Sequence, residues 1–310
     1  MHATIAQGGE GGAPVATTAS PATVTTSRGP VEYAATGEGP AVLALHGAMG
    51  GHDQSLLLAR TIGETGYRYL ALSRPGYLGT PLRAGRTPEE QADLYADVLD
   101  ALGIREAAVL AVSGGGPSAI HFALRHPDRC WGLVLVSTCG SRVDTRIPLS
   151  FHVVKLLARW PWFVGLMRRK TERDPDRAAR RSILDPIVRA RTLRDPEAGP
   201  LLNALTLSTL DRMGARLPGT ENDIAVTRST GYPLEGISVP TLVVHGTADR
   251  MVPFAEHGRA LAARIPGAEL LAVEGGEHVA IFTHRDEARA RVTRFLRQHA
   301  PVARNPGSAP

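Results

Sequence analysis

An apolar run typical of a buried strand ends abruptly at a serine that is followed by three glycines. Residues 109–112 are apolar, Ser113 comes next, and the glycines at 114–116 lead into a second, largely apolar segment. Small residues two positions before and after the serine, here Ala111 and Gly115, let the backbone bend sharply and leave the hydroxyl accessible. The sequence therefore predicts a tight turn from strand to helix, with Ser113 as a candidate nucleophile.

Two further polar residues follow apolar, strand-like segments later in the chain. Asp249 comes shortly after the run at 241–244, and His278 comes shortly after the run at 269–273. The order Ser, Asp, His, each just beyond a strand, is the order of nucleophile, acid and base in the α/β-hydrolase triad. On these motifs the chain resembles the α/β-hydrolase superfamily.

The resemblance extends from about residue 31 to residue 300. It implies an α/β fold in which a mostly parallel sheet is covered by helices on both faces and carries an inserted helical cap. Other glycine-rich sites fit poorly. A dinucleotide-binding loop would need glycine where Ser113 stands, and a phosphate-binding loop needs Gly-Lys-Ser/Thr, whereas Lys155 and Lys170 are the only lysines.

A serine hydroxyl is a weak nucleophile at neutral pH, so it needs a neighbouring base, and the base needs an acid to orient it. His278 is the candidate base, on a loop that two preceding glycines allow to fold back. Asp249 is the candidate acid, because the residues after it match the family's usual Asp-x-x-Val-Pro pattern. Asp144, which follows an earlier strand at a longer distance, stays open as the alternative acid.

The resemblance also implies an oxyanion hole made of two backbone N–H groups. Gly114, directly after the nucleophile and at the start of a helix, supplies one, and Ala48, which follows His46 and Gly47, supplies the other. We interpret His46 as a structural hydrogen-bonding residue beneath this loop, and residues 73–77 as a Pro-Gly turn.

Apolar strands alternate with amphipathic segments over most of the chain, which indicates a parallel sheet with helices on both faces. The predicted strands are 42–45, 69–72, 107–112, 131–137, 241–244 and 270–273. The predicted helices are 54–65, 88–102, 117–125, 254–265 and, after the last strand, 286–298. Thr87, followed by a proline and two acidic residues, marks the start of one helix.

The alternation stops between residues 141 and 234, where no strand is convincing and helices are predicted at 151–157, 178–191 and 201–213. We name residues 141–234 the cap segment. The predicted domain organisation is a core of residues 23–140 and 235–300, this inserted cap segment, and flexible tails at 1–22 and 301–310.

Basic residues are concentrated in the cap segment. The formal net charge is +5, and between residues 145 and 225 fifteen Arg or Lys stand against nine Asp or Glu. Because the two signs are interleaved without an aromatic-basic repeat, we expect a solvated helical surface and no nucleic-acid partner. Trp160, Trp162 and Phe163 are predicted to roof an apolar substrate site, and contact with an anionic lipid surface is the alternative.

The 310 residues, of which 43% are hydrophobic, suffice for one full core. The N-terminal segment lacks the apolar stretch of a secretory signal, and no run reaches about 18 apolar residues, so we expect no membrane span. Cys130 and Cys139 flank a predicted strand whose ends lie about 25–30 Å apart, too far to pair. Unpaired thiols favour the cytoplasm. His121 and His126 are five apart, off the spacing of helical metal ligands, and we expect no metal or cofactor.

These features predict a cytoplasmic serine hydrolase that acts through a covalent acyl-enzyme on a small to medium hydrophobic ester, thioester or lactone. C–C bond hydrolases and lyases of diketone-like substrates share the framework, and a serine nucleophile does not separate the classes. A non-catalytic binding protein that retains the fold is a further alternative, against which the complete set of Ser113, Asp249 and His278 argues. The expected partner is a small hydrophobic substrate without stable membrane association, and a homodimer stays open.

Overall fold

The predicted sheet forms the centre of the fold. The computed structural model describes residues 19–143, 153, 155–158, 160–229 and 231–301. Its strands are β1 (Ala22–Thr26), β2 (Gly29–Thr36), β3 (Ala41–Leu45), β4 (Arg68–Leu72), β5 (Ala107–Val112), β6 (Cys130–Val136), β7 (Thr241–Gly246) and β8 (Glu269–Val273). They form one eight-stranded sheet in the order β1-β2-β4-β3-β5-β6-β7-β8.

Strands β3 to β8 are parallel, whereas β1 and β2 are antiparallel additions at one edge. Neighbouring parallel strands end at the same edge of a sheet, which is where α/β proteins place their sites. Because β5, β7 and β8 all end there, the residues that follow them are brought together. The mostly parallel sheet is confirmed, but β1 and β2 were not predicted from the sequence.

Helices lie on both faces of the sheet. Along the chain, several of them follow one another between β6 and β7. They are α1 (His52–Ile62), α2 (Pro88–Ala101), α3 (Gly116–Arg125), α4 (Pro161–Arg173), α5 (Pro175–Ala179), α6 (Pro186–Arg194), α7 (Ala198–Ser208), α8 (Leu217–Ser229), α9 (Gly258–Arg264), α10 (Ala280–Thr283) and α11 (Arg285–His299).

Apolar side chains leave each strand alternately toward the two faces. Leu43 and Leu45 of β3 join one buried cluster with α2 and α3, whereas Val42 and Ala44 join a second cluster with α1 and α11. The sheet is therefore covered on both faces, as predicted.

The cap segment contains α4 to α8, and the residues described within it include no strand. One predicted helix, 178–191, is wrong as a single element. Helix α5 ends at Ala179 and α6 begins at Pro186, because the Asp185 side chain accepts hydrogen bonds from the N–H groups of Ile187 and Val188 and caps a new helix. Helices α4 and α8 were not predicted, and part of the predicted helix at 151–157 lies outside the described residues.

Candidate active site

Ser113 occupies the sharp turn between β5 and α3. Its φ angle is 50°, in the left-handed region that is strained for a residue with a side chain. The Thr138 hydroxyl donates a hydrogen bond to the carbonyl oxygen of Ser113 at 2.5 Å. A Cβ on Gly115 would lie 2.8 Å from the carbonyl oxygen of His46, and one on Gly116 only 1.9 Å from the Thr138 hydroxyl. Glycine is therefore required at both positions for the turn to close.

His278 reaches Ser113 from the loop after β8. Gly275 in this loop has a φ of 68°, which glycine adopts without strain. The His278 Nε2 atom lies 3.2 Å from the Ser113 hydroxyl oxygen. The imidazole is 15% exposed, so the pair is largely shielded from water.

Asp249 lies on the other side of the imidazole. Its Oδ2 atom is 2.8 Å from His278 Nδ1, and its Oδ1 atom accepts from the N–H groups of Met251 and Val252. Burial acts to raise the pKa of this carboxyl, but hydrogen bonds from His245 and His278 outweigh burial and hold the pKa well below its usual range. The carboxylate is therefore ionised at neutral pH, as an acid that orients an imidazole must be.

His245 was missed as a neighbour of Asp249, although it lies near the end of β7, four residues earlier in the chain. Its side chain is fully buried, and Nε2 lies 3.5 Å from Asp249 Oδ2. The same nitrogen lies 2.8 Å from the carbonyl oxygen of Val252 and donates to it. His245 thus contacts the loop that carries Asp249 from the buried side, whereas His278 contacts Asp249 from the side of Ser113.

The proposed oxyanion-hole amides lie side by side. A Cβ placed on Gly114 would be 3.4 Å from the backbone nitrogen of Ala48, and one on Gly47 would be 3.0 Å from the Cβ of Ser113. Within the described parts of the chain, the Ala48 N–H donates to no other group. The loop that carries Ala48 thus lies against Ser113 and Gly114.

His46 lies beneath this loop and is fully buried. Its Nδ1 donates to the Gly47 carbonyl oxygen at 2.7 Å, and its Nε2 accepts from the Arg74 N–H at 3.0 Å. Burial and the charge of Arg74 lower the pKa of His46 well below its usual range, so the ring is neutral. These contacts match the structural role expected for His46.

We call residues 46–49 the oxyanion loop. Three buried polar residues beside it were not identified from the sequence as part of the site. The Arg74 guanidinium pairs with both carboxylate oxygens of Asp223, at 2.9 and 2.5 Å, and the Tyr77 hydroxyl donates to the same carboxylate at 2.6 Å. Arg74 and Tyr77 lie in the segment interpreted only as a turn. Asp223 is on α8, far away in the sequence, and no local pattern marks it.

Of the three aromatic residues predicted to roof the substrate site, two are largely exposed and one lines a cavity within the cap segment. Trp160 and Trp162 are 45% and 64% exposed. Phe163 lines a cavity of about 650 Å³ among α4, α5 and α7, and Ser113 is not among the residues that line it. Their role in substrate binding stays a prediction. The alternative acid, Asp144, lies outside the described residues.

Among the residues that the structure describes, no group of three His, Cys, Asp or Glu side chains could hold a metal ion. No helix in the same residues is long and apolar enough to cross a membrane. The arrangement at Ser113 is suited to nucleophilic attack on a carbonyl group, with an adjacent base and two backbone donors for the oxygen that becomes negative.

Comparison with known proteins identifies the family of the chain. The alpha/beta hydrolase fold model matches residues 40–285. An alpha/beta hydrolase fold protein from Nakamurella multipartita is 36% identical, with a TM-score of 0.80 over 90% of this chain and 99% of that one. The 2-hydroxy-6-oxononadienedioate/2-hydroxy-6-oxononatrienedioate hydrolase of Klebsiella pneumoniae is 30% identical over 82% of this chain and 86% of its own length.

The uncharacterized hydrolase YcgS of Bacillus subtilis is 27% identical over 83% of this chain and 91% of its own length. The family model and these relatives support a hydrolase. The family match covers well over half of the chain, and the chain therefore belongs to the alpha/beta hydrolase fold family.

Proposed function

We propose that the chain is a serine hydrolase of small to medium hydrophobic carboxylic esters, thioesters or lactones, acting through a covalent acyl-enzyme. The observation that carries the proposal is the continuous hydrogen-bonded series from the Ser113 hydroxyl through His278 to the Asp249 carboxylate, with distances of 3.2 and 2.8 Å. An alcohol, a base and an ionised acid in this order form the set that activates a serine.

In the first half of the reaction, Ser113 Oγ attacks the carbonyl carbon while His278 Nε2 takes the hydroxyl proton. The carbonyl oxygen becomes negative and accepts hydrogen bonds from the N–H groups of Ala48 and Gly114. The imidazolium then returns its proton to the departing alcohol or thiol, and the acyl group stays on the serine oxygen.

In the second half, water replaces the leaving group. His278 takes a proton from a water molecule, the resulting oxygen attacks the acyl carbon, and the Ser113 oxygen leaves with the proton held on Nε2. Asp249 remains ionised throughout and stabilises the imidazolium. The products are a carboxylic acid and the free enzyme.

Hydrolysis of a C–C bond is the second candidate, because relatives of the chain are named for it. A 2-hydroxy-6-oxononadienedioate contains a ketone and two carboxylates but no ester, so its hydrolysis must break a bond between carbons. The same serine could attack the ketone, and a carbon fragment would then depart in place of an alcohol. The two candidates differ in what must stabilise the leaving group.

Fluorophosphonate labelling followed by two substrate series separates the candidates. We expect wild type to be labelled at Ser113 and to hydrolyse chromogenic esters, with Ser113→Ala losing both properties and several orders of magnitude in kcat. A 2-hydroxy-6-oxodienoate turned over faster than every ester would establish the second candidate. Undiminished turnover by purified Ser113→Ala would refute the serine mechanism for both.

We propose that the protein works in the cytoplasm on a small-molecule substrate, without a nucleic-acid partner or stable membrane association. The interleaved charges of the cap segment support the part of the proposal that concerns nucleic acids and membranes. Its basic residues repeatedly pair with acids, as in Arg168 with Glu172 and Arg180 with Asp176.

A further inference from the structure

We propose that Asp223, on helix α8 of the cap segment, is a positioning residue that fixes the oxyanion-hole amide of Ala48 by way of Arg74. The inference rests on the proposed function, since it takes the Ala48 N–H as a donor to the reacting carbonyl. It assigns to the cap segment a part in the chemistry as well as in substrate binding.

One peptide unit joins the oxyanion-hole amide to the groups that hold it. The carbonyl oxygen of Gly47 and the N–H of Ala48 belong to the same planar, trans peptide, so they point in opposite directions. His46 Nδ1 lies 2.7 Å from the Gly47 oxygen, and Arg74 Nη2 lies 3.4 Å from it. Both donors fix the position of this carbonyl oxygen, and the planar peptide passes the constraint on to the Ala48 N–H. The Ala48 N–H is thereby held toward the site where the oxyanion forms.

Arg74 needs a counter-charge to stay in this place. Its side chain is 1% exposed, and its Nε also donates to the carbonyl oxygen of His46 at 2.9 Å. A buried guanidinium without a partner is strongly unfavourable and moves toward water. Asp223 supplies the charge with both carboxylate oxygens, and the Tyr77 hydroxyl fixes that carboxylate.

Two more residues, one in the first turns of α8 and one just before it, hold the next two peptides of the loop. The Met49 N–H donates to the Thr220 hydroxyl at 3.0 Å, and Arg216 Nη1 lies 3.4 Å from the Met49 carbonyl oxygen. Met49 has a φ of 58°, an unfavourable value that needs such support. The chain is therefore held by cap residues on both sides of Ala48, through Asp223 before it and Thr220 after it.

The test compares Asp223→Asn with wild type in the full-length protein. Displacement of a catalytic donor by about 1 Å costs about 100-fold in rate, so we expect kcat on a chromogenic ester to fall about 10- to 100-fold while KM stays within about two-fold. A trifluoromethyl ketone, which forms an oxyanion on the serine, should lose affinity by the same factor as kcat/KM. The Met49 amide should exchange its hydrogen faster.

A second variant covers the case in which Asp223→Asn does not fold. The pair Arg74→Met with Asp223→Leu removes both buried charges, so the fold should be retained, yet kcat should still fall because the Gly47 oxygen has lost a donor. Asp176→Asn is the matched control, since Asp176 pairs with Arg189 of the cap segment away from the loop.

Unchanged kcat and unchanged Met49 exchange in both variants would overturn the proposal, and so would an equal loss of kcat in the control. Failure of the proposed function has a different signature, namely a wild type that is neither labelled nor active. Hydrogen exchange at Met49 does not depend on activity and would still decide whether Asp223 holds the loop.

Discussion

The Thr247 hydroxyl accepts a hydrogen bond from the Gly275 N–H at 2.9 Å and so ties the loop that carries Asp249 to the loop that carries His278. The two loops follow adjacent parallel strands, β7 and β8. Together with the backbone hydrogen bonds from Thr247 to Val273 and from Ala248 to Gly276, this contact supports the Asp249–His278 distance from outside the pair.

We predict that Thr247→Val lowers kcat by a few-fold while the protein stays folded. Valine has nearly the shape of threonine but cannot accept the hydrogen bond, which contributes about 0.5–1.5 kcal/mol. Thr247→Ser keeps the hydroxyl and is the matched control. Steady-state kinetics on an ester substrate measures both variants, and equal kcat in the valine and serine variants would show that the tie is not needed.

Asp249→Asn should lower kcat by about 10⁴, because the amide favours the wrong imidazole tautomer and cannot stabilise its cation. Asp144→Asn should stay within a few-fold of wild type. Kinetics on both purified variants decides between the two acids. The reverse ranking would transfer the role of the acid to Asp144 and leave Ser113 and His278 in theirs.

Substitution by alanine should change thermal stability in opposite directions at two glycines. Gly116→Ala should lower both Tm and kcat, since the new Cβ would meet the Thr138 side chain at 1.9 Å. Gly165→Ala, inside α4 with nothing within 4 Å of the new Cβ, should raise stability by about 0.5–1 kcal/mol, because glycine is costly in a helix. Thermal unfolding measures both, and a neutral Gly116→Ala would contradict the packing of the serine turn.

Stability should depend on the ionisation of Glu32. Burial acts to raise the pKa of this carboxyl, but hydrogen bonds from His52, the Gly79 N–H and Ser73 have the larger effect. The net result is a pKa lowered from 4.5 to about 2. A lowered pKa in the folded state means that the stabilisation is complete above pH 4.5 and is lost as the pH falls from there toward 2.

Glu32→Gln should therefore lower the free energy of unfolding at pH 7 and weaken its decline between about pH 5 and pH 3. Glu38→Gln, at an exposed position, is the control. Urea unfolding at several pH values gives the comparison. If the two variants show the same pH dependence, Glu32 has no special part in acid unfolding.

Local signals explain which elements could be predicted. The helix start at Thr87 was expected from its residue types, and Thr87 and Glu90 form a reciprocal capping box. Strands β3 and β6 are buried throughout and appear as continuous apolar runs. By contrast, β1 is mostly exposed and rich in threonine, so no apolar run marks it.

Contacts between distant segments explain what could not be predicted. Arg74 and Asp223 are separated by 149 positions and meet only because α8 packs against the oxyanion loop. Nothing near Asp223 in the sequence distinguishes it from the other acidic residues of the cap segment. The Ser, Asp and His positions were different, since each follows a strand whose apolar run is visible.

The insertion point of the cap segment has a consequence for protein engineering. It separates Ser113, which precedes it, from Asp249 and His278, which follow it, so exchange of residues 141–234 with those of a relative leaves all three in the host chain. Such a chimaera would nevertheless lose Asp223, which belongs to the exchanged part, while Arg74 stays behind. A graft meant to change substrate range should therefore retain a carboxylate that faces Arg74.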